Sequence, residues 1–170
     1  MSSVIEKEFL LKIDTHKGIL YKVSRMYMDN RDDQEDLYQE IVLQLWKSYD
    51  KFQGNSQFST WMYRVAVNTA ITYFKKDKRV SNQLTSLSDK EGKLQAVEHD
   101  TTVDNQVDYL YKAIYQLNDV EKALIFLYLE GFSHQEIGTN LGISEGNARV
   151  KLNRTKSKLQ EIIKTQGYEF

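Results

Sequence analysis

Apolar residues recur along most of this sequence at spacings of three and four, which places their side chains on one face of an α-helix. Proline, which breaks helices, is absent from all 170 residues, and no segment shows the alternation expected of a strand. Three helices are predicted in the first part of the chain, over residues 5–27, 32–49 and 58–76. The pattern therefore predicts an all-α protein.

Each predicted helix has an apolar stripe that indicates its inward face. The stripe of the first helix, which Gly18 weakens in its middle, contains Phe9, Ile13, Ile19, Leu20 and Val23. The stripe of the second helix contains Leu37, Ile41, Leu45 and Tyr49. The stripe of the third helix contains Phe58, Met62, Val65, Thr69 and Tyr73.

A polar stretch interrupts the helical pattern between residues 77 and 105 and has no sustained apolar face. We therefore predict two small helical domains, residues 1–78 and 105–170, joined by a flexible linker over residues 79–104. Within the first domain, residues 51–57 include Gly54, Asn55 and Ser56, and this composition predicts a loop.

The C-terminal domain contains a pattern typical of a helix-turn-helix. A helix over residues 118–130 is predicted to begin at the N-cap Asn118, with Glu121 three residues on and Gly131 at its end. After it, Ser133 and Glu136 form a capping box that begins a short helix ending near residue 141. Gly142 then supplies a turn, Ile143 points inward, and Ser144 caps the next helix. Two helices joined by a short turn with glycine are typical of DNA-binding domains.

In such domains the second helix enters the major groove, where arginine recognises guanine and asparagine recognises adenine. The spacing predicts that Ala148, Leu152 and Leu159 face the core. The candidate DNA-reading residues on the remaining faces are Asn147, Arg149, Val150, Lys151, Asn153 and Arg154. The alternative is that these cations only solvate an exposed helix face.

The third predicted helix has a second stripe, opposite its apolar one, that contains Trp61, Arg64, Asn68, Thr72 and Lys75. An aromatic ring followed by hydrogen-bonding and cationic groups is suited to stacking on unpaired bases and following phosphates. From spacing alone, a half-buried tryptophan with a structural role is the favoured alternative.

Charge is distributed unevenly although the net charge is only −1. Residues 29–40 contain six acidic side chains and one arginine, whereas residues 144–164 contain six cations and two acidic side chains. An acidic surface and a basic surface on one chain suggest two different partners.

Composition narrows the possible functions further. Cysteine is absent, which excludes disulfides and thiolate metal sites, and the three histidines are far apart, so we expect no metal and no cofactor. No signal peptide or membrane-spanning segment is apparent, so we expect a cytoplasmic protein without membrane insertion. We find no phosphate-binding glycine loop and no nucleophile with a matching histidine, and we expect no enzymatic activity.

Three runs of sequence resemble extracytoplasmic-function sigma factors, the small group of the sigma-70 family. They are DDQEDLYQEIVLQLW, KFQGNSQFSTWMYRVAVNTAITYFKK and GFSHQEIGTNLGISEGNARVKLNRTKSKL, and they occur in the family's order. With the intervening helices the resemblance covers nearly the whole chain. It implies a promoter-specificity subunit that binds core RNA polymerase, reads two promoter elements and helps to open the duplex.

The resemblance also implies roles for particular residues. Asp36, Gln39 and Glu40 would contact the clamp of the beta-prime subunit, with Leu37 and Trp46 in the core. Without the resemblance, an acidic helix is more often a solvated face. The side chains that would bind the minus-ten element, with a base flipped from the duplex, are Phe52, Trp61, Arg64, Asn68 and Lys75. The alternative for Phe52 is that it packs under the loop.

The helix after Ser144 would read the minus-thirty-five element, but Val150 and Asn153 depart from the family's usual residues, so its sequence preference does not carry over. The implied partners are core polymerase, through its beta-prime clamp and beta flap, promoter DNA in double- and single-stranded form, and an anti-sigma factor. The free protein would be a monomer.

Two other classes of protein remain as alternatives. A conventional helix-turn-helix regulator would form a homodimer on a palindromic site. A nucleic-acid hydrolase would use the carboxylates of residues 29–40, but two-metal chemistry needs carboxylates that converge in an enclosed site.

Overall fold

The computed structural model describes the backbone of residues 2–85 and 102–167 and the side chains of residues 3–76 and 105–167. These residues form eight α-helices and a 3-10 turn at Tyr49–Lys51, and they include no strand, which confirms the all-α prediction. The helices are α1 (Ser2–Thr15), α2 (Lys17–Tyr27), α3 (Arg31–Ser48), α4 (Phe58–Thr85), α5 (Thr102–Tyr115), α6 (Asp119–Leu129), α7 (His134–Leu141) and α8 (Glu145–Thr165). We refer to residues 2–85 as the N-terminal half and to residues 102–167 as the C-terminal half.

The first predicted helix is in fact two helices, because the backbone leaves the helical path at His16 (φ −113°, ψ 15°). The Thr15 hydroxyl donates a hydrogen bond to the carbonyl of Leu11, a contact that often bends a helix. Gly18 follows within one turn and weakens helical continuity further. The break lets Phe9 and Ile13 from α1, and Leu20 and Val23 from α2, enter one core.

Helix α3 agrees with its prediction. The Asn30 side chain caps its N-terminus by accepting a hydrogen bond from the Asp33 amide at 2.8 Å. Leu37, Ile41 and Leu45 are fully buried, as the fourfold spacing predicted. Trp46 was expected in the core, but 42% of its surface is exposed.

The inward face of α4 agrees with its prediction only in part, because Met62 is fully buried and Phe58, Val65 and Tyr73 pack against the core, but the face is centred about one position further along. The fully buried residues are Met62, Ala66, Val67 and Ala70, whereas the predicted Phe58, Val65, Thr69 and Tyr73 are only half-buried. The reason is that α4 packs on α2 and α3 and also on α6 and α7 of the C-terminal half. Its small alanines allow close approach on both sides, a demand that apolar spacing alone does not reveal.

Helix α4 also extends to Thr85, beyond its predicted end at residue 76, and α5 begins at Thr102. Both ends of the predicted linker, residues 79–104, are therefore helical. The rest of that predicted linker, residues 86–101, lies outside the described residues.

The C-terminal half follows its predicted capping pattern. Complete capping boxes join Asn118 to Glu121 at α6 and Ser133 to Glu136 at α7. Gly142 ends α7 in the left-handed conformation, with φ 72°, which favours glycine. The Ser144 side chain then accepts a hydrogen bond from the Asn147 amide at 3.1 Å and begins α8. Helices α7 and α8 therefore form the predicted helix-turn-helix.

The turn depends on a second glycine, which the sequence did not identify. A Cβ atom added to Gly138 in α7 would lie 2.7 Å from the backbone oxygen of Ile143. That separation is too short for a carbon and an oxygen, so the turn fits against α7 only because residue 138 has no side chain.

The two halves pack directly on each other and share one hydrophobic core. Lys122 of α6 is fully buried at their junction. Its Nζ lies 4.4 Å from the ring centre of Phe74 and 5.4 Å from that of Tyr27, both in the N-terminal half, and 4.2 Å from that of Tyr115. Cation–π contacts that exclude water stabilise by about 2 kcal/mol.

Candidate nucleic-acid interface

The six candidate DNA-reading residues of α8 are all exposed. The opposite side of the helix is anchored by Ala148 and Leu152, which are fully buried, and by Leu159, which is partly buried. Fully burying one leucine stabilises a fold by about 1.5–3 kcal/mol, so this anchor holds the exposed face in a fixed orientation. The exposed residues are Asn147, Arg149, Val150, Lys151, Asn153 and Arg154.

The cations of α8 differ in their surroundings. Arg149 pairs with Glu145 one turn earlier at 3.3 Å, and Lys158 pairs with Glu121 of α6 at 3.0 Å. Lys156 lies 3.7 Å from the ring centre of Tyr128. Among the described side chains, Lys151 and Arg154 have no carboxylate partner within salt-bridge distance. Those two cations are therefore available to an external phosphate or base without first breaking an ion pair.

In the N-terminal half, a groove of about 770 Å³ separates the outer faces of α3 and α4. It contains three of the five residues predicted to bind the minus-ten element, namely Trp61, Arg64 and Asn68. Glu40, predicted to contact polymerase, and Gln44 line the opposite wall. The groove therefore combines an aromatic ring, a guanidinium and amide groups, which suit a base and its phosphate.

Phe52 does not line this groove. It packs in a cluster of aromatic rings, with its ring centre 5.0 Å from Trp61 and 5.7 Å from Phe58. It also lines a second, neighbouring cavity of about 630 Å³ together with Trp46 and Lys12. Phe52 thus contacts the Trp61 ring without lining the groove.

Lys12 is a residue of this region that the sequence reasoning missed. Its ammonium lies 5.5–5.8 Å from the ring centres of Tyr49, Phe52 and Phe58. A salt bridge to Glu8 at 2.9 Å raises the pKa of Lys12 and lowers the pKa of the Glu8 carboxyl. The separation of four residues between Glu8 and Lys12 was the available signal.

The acidic face of α3 is defined by the three predicted polymerase contacts, of which Asp36 and Gln39 are exposed. The third predicted polymerase contact, Glu40, is half-buried and accepts a hydrogen bond from Gln44 at 2.9 Å. Because the three residues are separated by three and four positions, they lie on one side of the helix. This face adjoins the groove through Glu40.

Two of the predicted minus-ten residues contact the C-terminal half. The Asn68 amide donates hydrogen bonds to the backbone oxygens of Arg64 at 2.8 Å and Asn140 at 3.1 Å. Lys75 lies outside the groove, and its ammonium is 3.5 Å from the Asp119 carboxylate. The contacts of Asn68 with Asn140 and of Lys75 with Asp119 could not be predicted from local patterns, because each joins residues far apart in the chain.

Among the side chains of residues 3–76 and 105–167, no cluster of three or more from histidine, aspartate or glutamate is arranged to hold a metal ion. None of the helices within residues 2–85 and 102–167 is long and apolar enough to cross a membrane.

Comparison with known protein families gives two matches, in the order that the sequence suggested. Residues 13–80 match the family model of sigma-70 region 2. Residues 108–159 match that of sigma-70 region 4. The first match includes the groove and the acidic face of α3, and the second includes the helix-turn-helix and most of α8.

Similar proteins belong to one functional group. The chain is 27% identical over 156 residues to the ECF RNA polymerase sigma factor SigX of Bacillus subtilis, covering 88% of this chain and 80% of that protein. Among solved structures, it is similar to the sigma factor RpoE in complex with the anti-sigma factor NepR from Bartonella quintana, with a TM-score of 0.73 and 21% identity over 93% of this chain and 98% of that chain. It is also similar to CnrH in complex with the cytosolic domain of CnrY, with a TM-score of 0.65 and 16% identity over 94% and 90% of the two chains.

Proposed function

Since this chain belongs to the extracytoplasmic-function group of the sigma-70 family, we propose that three of its surfaces bind different partners in transcription initiation. These surfaces are the exposed face of α8, the groove between α3 and α4, and the acidic face of α3. The protein is an RNA polymerase sigma factor that acts in transcription initiation. Sigma factors bind RNA polymerase and promoter DNA and are transcription regulators rather than enzymes. The proposal concerns which residues make each contact.

The exposed face of α8 reads the upstream, minus-thirty-five element. The observation that carries this assignment is that all six candidate side chains are exposed on a helix whose other side is anchored by fully buried Ala148 and Leu152. Arg149 and Arg154 are suited to guanine, and Asn147 and Asn153 to adenine. Lys151 is placed to bind phosphate, and Val150 can contact a thymine methyl group.

The groove between α3 and α4 binds the minus-ten element as a single strand. Trp61, whose ring contacts that of Phe52, stacks on a base, and Arg64 and Asn68 bind the strand beside it. Lys75 attracts the phosphates that continue along α4. Flipping a base costs a few kcal/mol of stacking, which the aromatic wall offsets, and this exchange assists promoter melting.

The acidic face of α3, with Asp36, Gln39 and Glu40, docks on the beta-prime clamp of core polymerase, and the C-terminal half contacts the beta flap. Exposed carboxylates steer association with a basic partner and set its orientation. The free protein is a monomer in the cytoplasm, and an anti-sigma factor is a further partner. The last proposal is supported by the similarity to RpoE bound to its anti-sigma factor.

Transcription in vitro tests the function directly. Core polymerase is incubated with a library of genomic fragments, with and without the purified full chain, and the 5′ ends of the transcripts are mapped. We expect new start sites that appear only with the protein and share two upstream elements. A stable homodimer that binds a palindromic site and creates no start site would instead identify a conventional helix-turn-helix regulator.

A further inference from the structure

We infer that the groove between α3 and α4 selects bases that carry an exocyclic amino group, namely cytosine, adenine and guanine, over thymine. Several polar side chains of the groove already donate their hydrogens within the protein, so they offer a bound base mainly acceptor oxygens. The principal reader is Gln44, and Glu40 holds its amide in place. The inference rests on the proposed function, because it takes a single strand to be the occupant of the groove.

On the α3 wall of the groove, Glu40 sets the orientation of the Gln44 amide. The Gln44 nitrogen donates a hydrogen bond to a carboxylate oxygen of Glu40 at 2.9 Å. An ionised carboxylate can only accept, so this bond keeps the amide nitrogen beside Glu40 and leaves the amide oxygen for another partner. Both residues line the groove and are half-buried. A freely rotating glutamine can donate or accept, whereas Gln44 is held so that it mainly accepts.

Two hydroxyl groups of the groove also donate to the backbone. The Ser48 hydroxyl donates to the backbone oxygen of Gln44 at 2.5 Å. On the α4 wall, the Thr72 hydroxyl donates to the backbone oxygen of Asn68 at 3.1 Å. A hydroxyl has one hydrogen, so each of these oxygens can then offer a base only its lone pairs. Both hydroxyls therefore act as acceptors towards a ligand.

Asn68 places a further acceptor on the α4 wall. Its amide nitrogen donates to the backbone oxygens of Arg64 at 2.8 Å and Asn140 at 3.1 Å. An amide nitrogen carries two hydrogens, and these two bonds use both of them. The carbonyl oxygen of Asn68 is therefore the polar atom left for a base, and acceptor oxygens lie on both walls of the groove.

The charges of the groove separate the path of the phosphates from that of the bases. Three cations, Lys51, Arg64 and Lys76, line the groove together with a single carboxylate, that of Glu40. None of these cations pairs with Glu40 in the part of the chain that the structure describes, so all three are available to phosphates. The Glu40 carboxylate repels phosphate, and a bound strand would therefore turn its base edges towards Glu40 and Gln44.

The four bases differ in what they present to a row of acceptors. Cytosine, adenine and guanine each carry an amino group that donates, whereas thymine has an oxygen where cytosine has its amino group. That oxygen would face the acceptor oxygen of Gln44 and would lose its hydrogen bonds to water without replacement. A well-aligned contact between an amide side chain and a base changes affinity by about fivefold or more.

The test compares two short labelled strands, oligo-dC and oligo-dU, on the free full chain. Uracil stands for thymine because it lacks the methyl group, so the two bases have nearly the same shape and differ in the groups at positions 3 and 4. Fluorescence anisotropy measures the dissociation constant of each strand at a slightly alkaline pH, where cytosine is neutral. The readout is the ratio of the two constants, which does not depend on the fraction of folded chain.

We expect the parent chain to bind oligo-dC about fivefold more tightly than oligo-dU. Gln44→Met keeps the length of the side chain without its amide oxygen and should reduce the ratio to about twofold. Gln160→Met, the same change at an exposed position of α8, should keep the ratio of the parent chain. Trp61→Ala should weaken both strands and keep the ratio, because stacking does not depend on the amino group.

Glu40→Leu tests whether Glu40 acts by positioning Gln44. The change removes the carboxylate from a groove lined by three cations, so both strands should bind more tightly. The released Gln44 amide can then turn and donate to uracil, so the ratio should fall at the same time. A merely structural role would weaken both strands without changing the ratio. Circular dichroism of each variant checks that the helices remain folded.

Equal affinity of the parent chain for the two strands, or an unchanged ratio in Gln44→Met, would overturn selection by Gln44. The parent ratio in Glu40→Leu would overturn the positioning role of Glu40. Failure of the proposed function gives a different result. If neither strand binds, or if Trp61→Ala leaves the binding of both unchanged, the groove is not the site of the minus-ten strand.

Discussion

The two halves of this chain present their candidate DNA-binding residues on different kinds of surface. In the C-terminal half the residues lie on the exposed face of one helix, α8, and a single capped turn orients them. In the N-terminal half three of the five, Trp61, Arg64 and Asn68, line a groove that exists only because α3 packs beside α4. An exposed helix face suits the regular major groove of a duplex, whereas a cleft with an aromatic wall suits a strand whose bases are unstacked.

The largest effect on binding is expected from charge reversal on the acidic face of α3. Reversing both Asp36 and Glu40 to lysine should abolish association with core polymerase while the helices stay folded, because oppositely charged contacts would become repulsive. Losing one buried charge contact typically costs about 2–5 kcal/mol. Co-purification with core polymerase measures the loss, and reversal of Glu6 and Glu161, two exposed acids elsewhere, is the control. Normal co-purification of Asp36→Lys with Glu40→Lys would move the docking surface elsewhere.

The exposed face of α8 should be sensitive to single changes. Arg149→Ala or Arg154→Ala is expected to weaken promoter binding by about 1–3 kcal/mol if the side chain contacts a base. Footprinting at the upstream element, repeated at several salt concentrations, separates base contacts from phosphate contacts. Lys164→Ala, near the end of the same helix, should have little effect. Unchanged occupancy in both arginine variants would remove α8 from the recognition role.

Binding of single-stranded DNA in the groove of the N-terminal half should depend on which tryptophan is removed. Trp61→Ala is expected to weaken binding of single-stranded DNA by about 1–3 kcal/mol, the usual contribution of one stacked base. Trp46→Ala is a matched control, because Trp46 packs on the same aromatic cluster but does not line the groove between α3 and α4. Fluorescence anisotropy of a labelled strand measures both. Equal losses would indicate that the cluster supports folding rather than stacking.

Substitution of Gly138 should show how much stability is lost when a side chain is added where α7 meets the turn. Gly138→Ala places a carbon against the backbone oxygen of Ile143 and should destabilise the protein by about 1–3 kcal/mol, the usual cost of overpacking. Gly146→Ala, in the first turn of α8 with open space around it, should be neutral or slightly stabilising. Urea unfolding measures both changes, and equal stabilities would mean that the turn can relax.

The smallest effect on stability is expected from high pH, and it arises from Tyr27 at the junction of the halves. Burial, and then the Asp119 carboxylate, raises the pKa of Tyr27 well above its usual range, while its hydroxyl donates to the Asp119 backbone oxygen at 2.6 Å. The unfolded pKa is about 10, so the stabilisation is complete below that pH and is lost as pH rises above it. We expect the free energy of unfolding to fall above about pH 10, with a shallower fall in Tyr27→Phe than in Tyr21→Phe, which removes an exposed hydroxyl. Identical slopes would exclude Tyr27 as the source.

Features that depend on residues a few positions apart could be predicted from the amino-acid sequence alone. Caps at Asn118, Ser133 and Ser144, and the left-handed Gly142, follow from residue types a few positions apart, and all are present. The exposed face of α8 could be predicted for the same reason, because helical periodicity fixes which side chains share a side. The resemblance to a sigma factor also came from local runs of residues, and the family matches confirm it.

The residues that α4 buries, and the contacts of its polar face, depend instead on how whole helices pack together. The buried face of α4 is broader than the predicted stripe because two sets of helices pack on it. Met62 is buried as predicted, and Ala66 and Ala70 are buried as well. The bonds of Asn68 to Asn140 and of Glu130 to Tyr63 span 72 and 67 positions of the chain. Contacts of that range depend on how whole helices pack, and hydrophobic spacing within one helix contains no information about the partner it meets.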